Sequence, residues 1–488
     1  METSQNIWGL SQETIDELGD ELVSFHQEFA PLFTTTTRDV SEHAFTELKG
    51  SVLMDGKRTY TGVARKIVDP LNDGQNLQHF MSDSPWESQR IFDAIQGQIG
   101  ACPELQGGML NVDDSGNDCS SVQKAGAQKQ YLGRLGKVDV GQVGVVVSYY
   151  HDGIWSLVDA ELFLPESWFE EEKKKEWKRL HIPEDREFSS KLEIGKSKID
   201  HAIEQGLPFE VVGADTWYGQ DGSFRDHIAA RGTLYMVSIP YDTTVYLEKP
   251  VVGVPETPAR HRGPRYRNER VLEGVSLTAA QVARKTTFES VSVRECERGT
   301  LEYEHAFVEV WTLRQEERED AEGKAYTGLK AVKELLVIRK DTPKKMSYSL
   351  SNAPITTDKC TLAQWKANRY FVERTIQDTK TEAGWDDLSS SKYRAYMHTL
   401  AIDALALWFV ARVKLKMRPR QLSVEVVQEM LGVRRLPELS FATIRDLLLT
   451  VFPLKTLTKE TAVELVTTKL MGRVKSTRSR LKGTKMRM

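Results

Sequence analysis

The stretch from residue 108 to residue 240 constrains the fold most, because short apolar strands alternate there with helical patterns. Two strands at 142–150 and 154–165 are separated by His151-Asp152-Gly153, and an Asp-Gly turn between apolar runs is typical of an antiparallel hairpin. A helical pattern at 193–205, an apolar strand that ends at Asp215, a helix at 223–231 and a strand at 234–240 follow. This succession predicts an α/β fold built on a mixed sheet.

The chain has 488 residues, which is more than one ordinary core, so several domains are expected. Helical patterns predict an all-α N-terminal domain at 1–104 and a helical C-terminal region with a basic tail at 416–488. The sheet domain is expected in two parts, at 105–240 and 349–415, with an inserted β domain between them at 241–348. The apolar run at 400–413 is shorter than a membrane span and predicts a core helix. The N-terminus has no pattern of a secretory signal, so a cytoplasmic location is expected.

The formal charge of −4 argues mildly against nucleic-acid binding, which requires lysines and arginines to neutralise phosphates. The distribution of charge points the other way. Segment 260–270 has five arginines and one glutamate, 412–420 has five cations, and 469–488 has eight cations and no acid. These segments are either phosphate-binding surfaces, with Arg262, Arg265 and Arg267 as candidates, or ordinary solvated surface. The four cysteines form no CxxC pair, so neither disulfides nor structural zinc are expected.

Two aspartates stand at positions where a site is expected. In Asn111-Val112-Asp113-Asp114 the alternation of a strand turns Asp113 and Asp114 to opposite faces, so only one of them can point at a given site. Asp215 follows an apolar strand, and open α/β sheets bind ligands beyond the carboxyl ends of their strands. Taken alone, an aspartate at a strand end is most often a cap or turn residue.

A third acid lies on a helix predicted at 362–382. Arg369, Glu373, Gln377 and Lys380 are spaced by four, four and three residues, which puts them on one helical face. Such a face is often a surface ladder of salt bridges. Alternatively, Glu373 ligates a metal ion while Arg369 and Lys380 hold phosphates.

Three carboxylates suit metal-dependent phosphodiester chemistry. Two Mg²⁺ ions about 4 Å apart activate the attacking oxygen and stabilise the leaving oxygen. Because such hard cations prefer oxygen ligands, the absence of a conspicuous histidine is compatible with this site.

With these residues the chain resembles the bacterial insertion-sequence transposases of the Asp-Asp-Glu (DDE) type, specifically the insertion sequence 701 family, whose catalytic domain is ribonuclease-H-like. The resemblance runs from about residue 45 to residue 413. It rests on the ordered pieces NLQHFMSDSPW, LNVDDSG, YLGRLGKVDVGQVGV, DAELFLPESW, PFEVVGADTWYG, YSLSNAP and RYFVERTIQDTKTEAGWDD.

The resemblance implies a role for each acid. The first metal-binding aspartate of the family precedes Thr or Ser and falls on Asp114, the second falls on Asp215, and the glutamate falls on Glu373. Arg369 and Lys380 match two more positions of the family's Tyr-Arg-Glu-Lys signature. The tyrosine is replaced by Lys366, and Gln377 stands where a related branch has Lys. In relatives an aromatic residue holds a flipped base, for which Trp217 and Trp311 are the candidates here.

The resemblance implies DNA cleavage at transposon ends and transfer of the 3′-hydroxyl to target DNA, with two Mg²⁺ or Mn²⁺ ions. It also implies that the partners are double-stranded DNA, namely the terminal inverted repeats and target DNA, and that the N-terminal helical domain and the basic tail hold this DNA. A homodimer on DNA is implied because two ends are cut together. Two alternatives stay open: a non-catalytic DNA-binding protein derived from a transposase, and a metal-dependent nuclease without strand transfer.

Overall fold

The computed structural model describes residues 12–69, 71–257, 265–296, 299–320, 323–417, 432, 439–452 and 459–485. Before the first strand the described chain is mainly helical, as predicted. Apolar side chains of these helices, such as Phe25, Phe29 and Phe33, are buried in one large core shared with the sheet. The helices before the sheet are α1 (Gln12–Phe29), α2 (Ser41–Leu53), α3 (Tyr60–Val63), α4 (Gln75–Ser82) and α5 (Ser88–Gly100).

Five strands form the centre of the main sheet, in the order β4-β3-β1-β5-β6. β1, β5 and β6 are parallel neighbours, whereas β3 is antiparallel to β1 and β4. This arrangement confirms the predicted mixed α/β sheet of the ribonuclease-H type. The five strands are β1 (Gly108–Asp118), β3 (Lys137–His151), β4 (Ile154–Phe163), β5 (Phe209–Ala214) and β6 (Leu234–Ile239), with β2 (Gln128–Leu132) paired to the end of β3.

The predicted hairpin joins β3 to β4. His151 pairs with Ile154, and the two turn residues Asp152 and Gly153 have φ values of 41° and 78°. Two consecutive positive φ values are the conformation that an Asp-Gly pair adopts at low cost, which explains why this turn was visible in the sequence.

Most strands of segment 241–348 continue the same sheet, whereas β8 and β9 form a separate two-stranded sheet. β14 pairs with β6, and β13, β12, β7 and β10 follow outward in that order. β11 pairs with the first residues of β12. The expected inserted β domain is therefore hydrogen-bonded edge to edge with the central strands, while its exact boundaries stay a prediction. The remaining strands are β7 (Thr244–Tyr246), β8 (Val251–Gly253), β9 (Arg270–Glu273), β10 (Ser276–Thr278), β11 (Glu289–Cys296), β12 (Gly299–Glu319), β13 (Ala325–Thr342) and β14 (Lys345–Ser351).

Helices cover both faces of the sheet. Val112 of β1 lies against helix α8, whereas Met109, on the opposite face, packs with Leu362 and Trp365 of helix α12. The helices beyond β4 are α6 (Glu171–Lys174), α7 (Trp177–Leu180), α8 (Lys191–Glu204), α9 (Thr216–Gly219), α10 (Gly222–Ala230), α11 (Ala279–Ala283), α12 (Lys359–Asn368), α13 (Tyr370–Gln377), α14 (Tyr393–Lys416), α15 (Phe441–Val451) and α16 (Lys459–Lys485).

Helix α14 contains the apolar run that was predicted to be a core helix. It is long and apolar enough to cross a membrane, but 89% of its most apolar window is buried inside the protein. It packs against β4, α2 and α5. The helix thus connects the N-terminal helices to the sheet, as a core element does.

Candidate active site

Asp215 lies where β5 ends, beside the parallel strand β1. Its Oδ1 accepts hydrogen bonds from the backbone amides of Trp217 at 2.9 Å and Tyr218 at 3.1 Å, so the carboxyl group caps α9. The register of the two parallel strands pairs Asn111 with Gly213 and Val112 with Ala214. The next residues along the two strands, Asp113 and Asp215, therefore lie side by side where β5 ends, while β1 continues to Asp118 along β3.

Asp113 and Asp114 contact basic residues of different helices. Asp114 Oδ2 lies 2.8 Å from Lys191 Nζ at the start of α8. Asp113 Oδ2 lies 3.9 Å from Arg369 Nη1, between α12 and α13. The strand alternation predicted this separation, but it did not predict that both aspartates would belong to the same charged cluster.

The aspartates at the end of the sheet influence one another strongly. Burial, together with the nearby charges of Asp215 and Asp114, raises the pKa of Asp113 to about 8, although the charge of Arg369 opposes them. Burial also raises the pKa of Asp215, with a contribution from Asp114. Neighbouring carboxyl groups disfavour one another's ionised form, and a cation bound among them would stabilise the ionised form of each.

Glu373 approaches this cluster from helix α13 through Arg369. Arg369 Nη2 lies 2.6 Å from Glu373 Oε1, and the same guanidinium faces Asp113. The helix is fixed by Phe371, whose ring stacks on Tyr150 of β3 with centroids 3.8 Å apart. One arginine thus links the acid of the helix to the acids of the strands.

The donor chemistry of the cluster fits a divalent metal ion, because carboxylate oxygens are the ligands that Mg²⁺ and Mn²⁺ prefer. Within the described ranges, no three His, Cys, Asp or Glu side chains stand close enough together to hold one ion. Lys191 and Arg369 are instead the cations in contact with Asp114 and Glu373. A metal ion ligated by Asp114 Oδ2 and Glu373 Oε1 would therefore have to displace both basic groups.

Gln377 and Lys380, which were also predicted to bind phosphate, differ in exposure: Gln377 is exposed and Lys380 is buried. Gln377 is exposed at the end of α13 and its Oε1 accepts from Arg374. Lys380 is only 5% exposed and donates to the carbonyl of Gly116 at 2.7 Å. The predicted common face is interrupted because the α-helix ends at Gln377 and a π-helical turn follows at Asp378–Ala383, which directs Lys380 inward.

The three arginines predicted to bind phosphate before β9 are exposed where the structure describes them, whereas Lys366, at the tyrosine position of the signature, is buried. Arg265 and Arg267 are exposed before β9, whereas Arg262 lies outside the described residues. Lys366, which replaces the signature tyrosine, is buried and donates to Ser349 Oγ at 2.7 Å. Burial lowers the pKa of Lys366 well below its usual value, and the charge of Arg339 lowers it further. Lys366 is therefore a core residue in this arrangement.

Of the two candidate stacking residues, Trp217 is the one beside the acids. It is 42% exposed and its amide binds Asp215. Trp311 lies on β12, which is separated from β5 by β13, β14 and β6. Neighbouring strands are about 4.8 Å apart, so Trp311 is roughly 19 Å away along the sheet.

Sequence reasoning missed Lys191 and set Asp113 aside. One signal for Lys191 was present: it directly follows Ser190, which forms a capping box with Glu193 and so marks a helix start. A cation in the first turn is disfavoured by the helix dipole, so its presence there needs another explanation.

The comparisons with known proteins agree with this geometry. The model of a family described as "DDE superfamily endonuclease" matches residues 28–300, more than half of the chain. The chain belongs to the DDE superfamily of endonucleases. This assignment confirms the resemblance found in the sequence. The match to the DDE endonuclease model includes Asp114 and Asp215 and ends before Glu373.

One curated relative is described as "Probable transposase for insertion sequence element IS701", from Microchaete diplosiphon. It is 26% identical to this DDE endonuclease over 241 residues, which are 46% of this chain and 59% of the relative. The chain therefore spans about three fifths of the length of that relative.

Proposed function

We propose that this DDE endonuclease is a transposase that cuts the ends of a mobile element and joins the freed 3′-hydroxyl to target DNA. The observation that carries the proposal is the charged cluster at the end of β5, where Asp114 influences Asp215 and where Arg369 contacts both Asp113 and Glu373. The similarity to a probable insertion-sequence transposase supports the same activity.

In this proposal Asp114, Asp215 and Glu373 hold two Mg²⁺ or Mn²⁺ ions. When bound, such ions activate the attacking oxygen and stabilise the leaving oxygen of a phosphodiester. Asp215 is held in place by two backbone amides, and Glu373 is held by a helix that is anchored through Phe371. Arg369 would release Glu373 and turn its guanidinium toward a DNA phosphate, for which its planar fork is suited.

The partners follow from the reaction. Double-stranded DNA would include the terminal inverted repeats and the target, and a homodimer on DNA would allow two ends to be cut together. The N-terminal helices, the exposed Arg265 and Arg267 and the basic helix α16 are the proposed DNA-binding surfaces. A cytoplasmic site of action is part of the same proposal.

Cleavage and joining of labelled DNA from the flanks of the coding region, with a target plasmid and Mg²⁺, tests the proposal. The wild-type protein should give joined products, and Glu373→Gln should bind DNA without cutting it. Products that are cut but never joined would favour the nuclease, and binding without any cutting would favour the DNA-binding protein. If Glu373→Gln cuts DNA as fast as the wild type, Glu373 is not part of the active site.

A further inference from the structure

Lys191 has no role in the resemblance on which the proposed site rests, yet it contacts an acid of that site. Its Nζ lies 2.8 Å from Asp114 Oδ2, and the two side chains are only 21% and 29% exposed. A partly buried ion pair is less screened by water and salt than a surface pair. A cation that ligates Asp114 Oδ2 therefore has to displace this ammonium.

The contact follows from the close approach of α8 to β1. A Cβ atom added at Gly195 would lie 3.1 Å from the Tyr218 ring and 3.3 Å from Val112, so a side chain at this position would require the helix or its neighbours to shift. Lys191 is one helical turn before Gly195 on the same face, and Asp114 is two residues after Val112 on the same face of the strand. Both elements thus bring the ammonium and the carboxylate together.

The ammonium group of Lys191 lies near two aromatic rings. Its Nζ is 5.4 Å from the centroid of Trp217 and 5.8 Å from that of Phe163. Such contacts favour a cation and leave an unbranched side chain free to swing while its charge stays near the rings. If Lys191 lost Asp114, its ammonium would remain beside the acids.

We propose that Lys191 is a phosphate-binding residue of the active site whose pairing with Asp114 is exchanged for a metal ion. Before metal binds, Lys191 neutralises Asp114. With Asp114 engaged as a ligand, the ammonium would be free to bind a phosphate of the DNA. This inference rests on the proposed function, because it needs Asp114 to be a metal ligand.

The exchange has a consequence that a purely structural lysine would not have. The pairing with Asp114 must be broken before metal binds, so its removal should strengthen metal binding while it weakens DNA binding. A lysine that only neutralises Asp114 would give the stronger metal binding without the loss of a DNA phosphate contact.

Calorimetric titration of Mn²⁺ into the full chain without DNA measures the first effect. Lys191→Met should bind Mn²⁺ roughly fivefold more tightly than wild type, from the usual strength of such pairs. Lys191→Arg should stay near wild type. Lys196→Met is the matched control, because Lys196 lies on the same helix but pairs with Ser223 Oγ at 2.9 Å.

Fluorescence anisotropy with a flank-derived duplex in Ca²⁺ measures the second effect. Lys191→Met should lose about one phosphate contact, which lowers the slope of log affinity against log salt by about 0.9. Unchanged or weaker Mn²⁺ binding by Lys191→Met, or equal strengthening by Lys196→Met, would overturn the exchange. An unchanged salt slope would overturn the phosphate contact. A wild-type protein that binds no Mn²⁺ would overturn the proposed function first and this inference with it.

Discussion

Phe371 should determine whether Glu373 is held in position, and Phe371→Ala tests this directly. The ring is 6% exposed, stacks on Tyr150 at 3.8 Å with an interplanar angle of 11°, and lies 5.5 Å from the ring of Trp155. It precedes Glu373 by two residues on the short helix α13. The ring therefore fixes this helix against strands β3 and β4.

The expected cost follows from these contacts. Truncation of a buried phenylalanine to alanine usually lowers the free energy of unfolding by about 3 to 5 kcal/mol. The ring pair contributes roughly 0.5 to 1.5 kcal/mol of that through its geometry. In domains of this size each kcal/mol lowers Tm by about 2 to 4 °C, so a fall of at least about 6 °C is expected.

The consequence for activity should exceed the loss of stability. A displacement of about 1 Å of a catalytic group can reduce a rate by roughly 100-fold, so Phe371→Ala should cleave far more slowly even where it is fully folded. Thermal unfolding and the rate of metal-dependent DNA cleavage at a temperature well below Tm measure the two effects.

Tyr370→Ala is the matched control, since its neighbouring ring on the same helix is 48% exposed. Its free energy of unfolding should change by less than about 1 kcal/mol. If Phe371→Ala melts and cleaves as Tyr370→Ala does, the stacked ring does not hold Glu373 and the reasoning is refuted.

Three further predictions concern the sheet. Folding raises the pKa of Asp113 from 3.8 to about 8, so the free energy of unfolding of the metal-free protein should fall as pH rises from about 4 to about 8. Urea titrations at several pH values should show a weaker pH dependence for Asp113→Asn, and the same pH dependence in both proteins would contradict this prediction. Glu334→Gln, whose carboxylate lies 3.0 Å from Arg225 and from Arg314, should lower the free energy of unfolding by about 3 to 5 kcal/mol, unlike the exposed Glu317→Gln. Gly195→Val should push α8 away from β1 and lower the free energy of unfolding by about 1 to 3 kcal/mol. It should also strengthen Mn²⁺ binding, as Lys191→Met does. A variant with the Tm of the wild type would refute the close packing of α8 on β1.

The local elements could be predicted because their signals are short-range. Apolar alternation marks β1, β3 and β5, and the Asp-Gly pair marks the β3–β4 hairpin. The position of Asp215 after a buried strand followed from the same pattern. Helix bounds were less accurate: the helix predicted at 362–382 is divided into α12, α13 and a π-helical turn, which turns Lys380 away from Glu373.

Partners that are far apart in the chain could not be predicted this way. The pairing of β14 with β6 extends the central sheet into segment 241–348, and no pattern within either strand specifies its neighbour. Lys191 and Asp114 meet because glycine allows α8 to approach β1, a property of two packed surfaces.

The sequence by itself determined the strand order along the chain, the opposite orientations of Asp113 and Asp114, and the acid at the end of β5, since these depend on backbone period and neighbouring residues. The tertiary structure alone decided which basic group faces each acid. Ion pairs depend on distances of a few ångströms between elements, and packing of the whole core sets those distances.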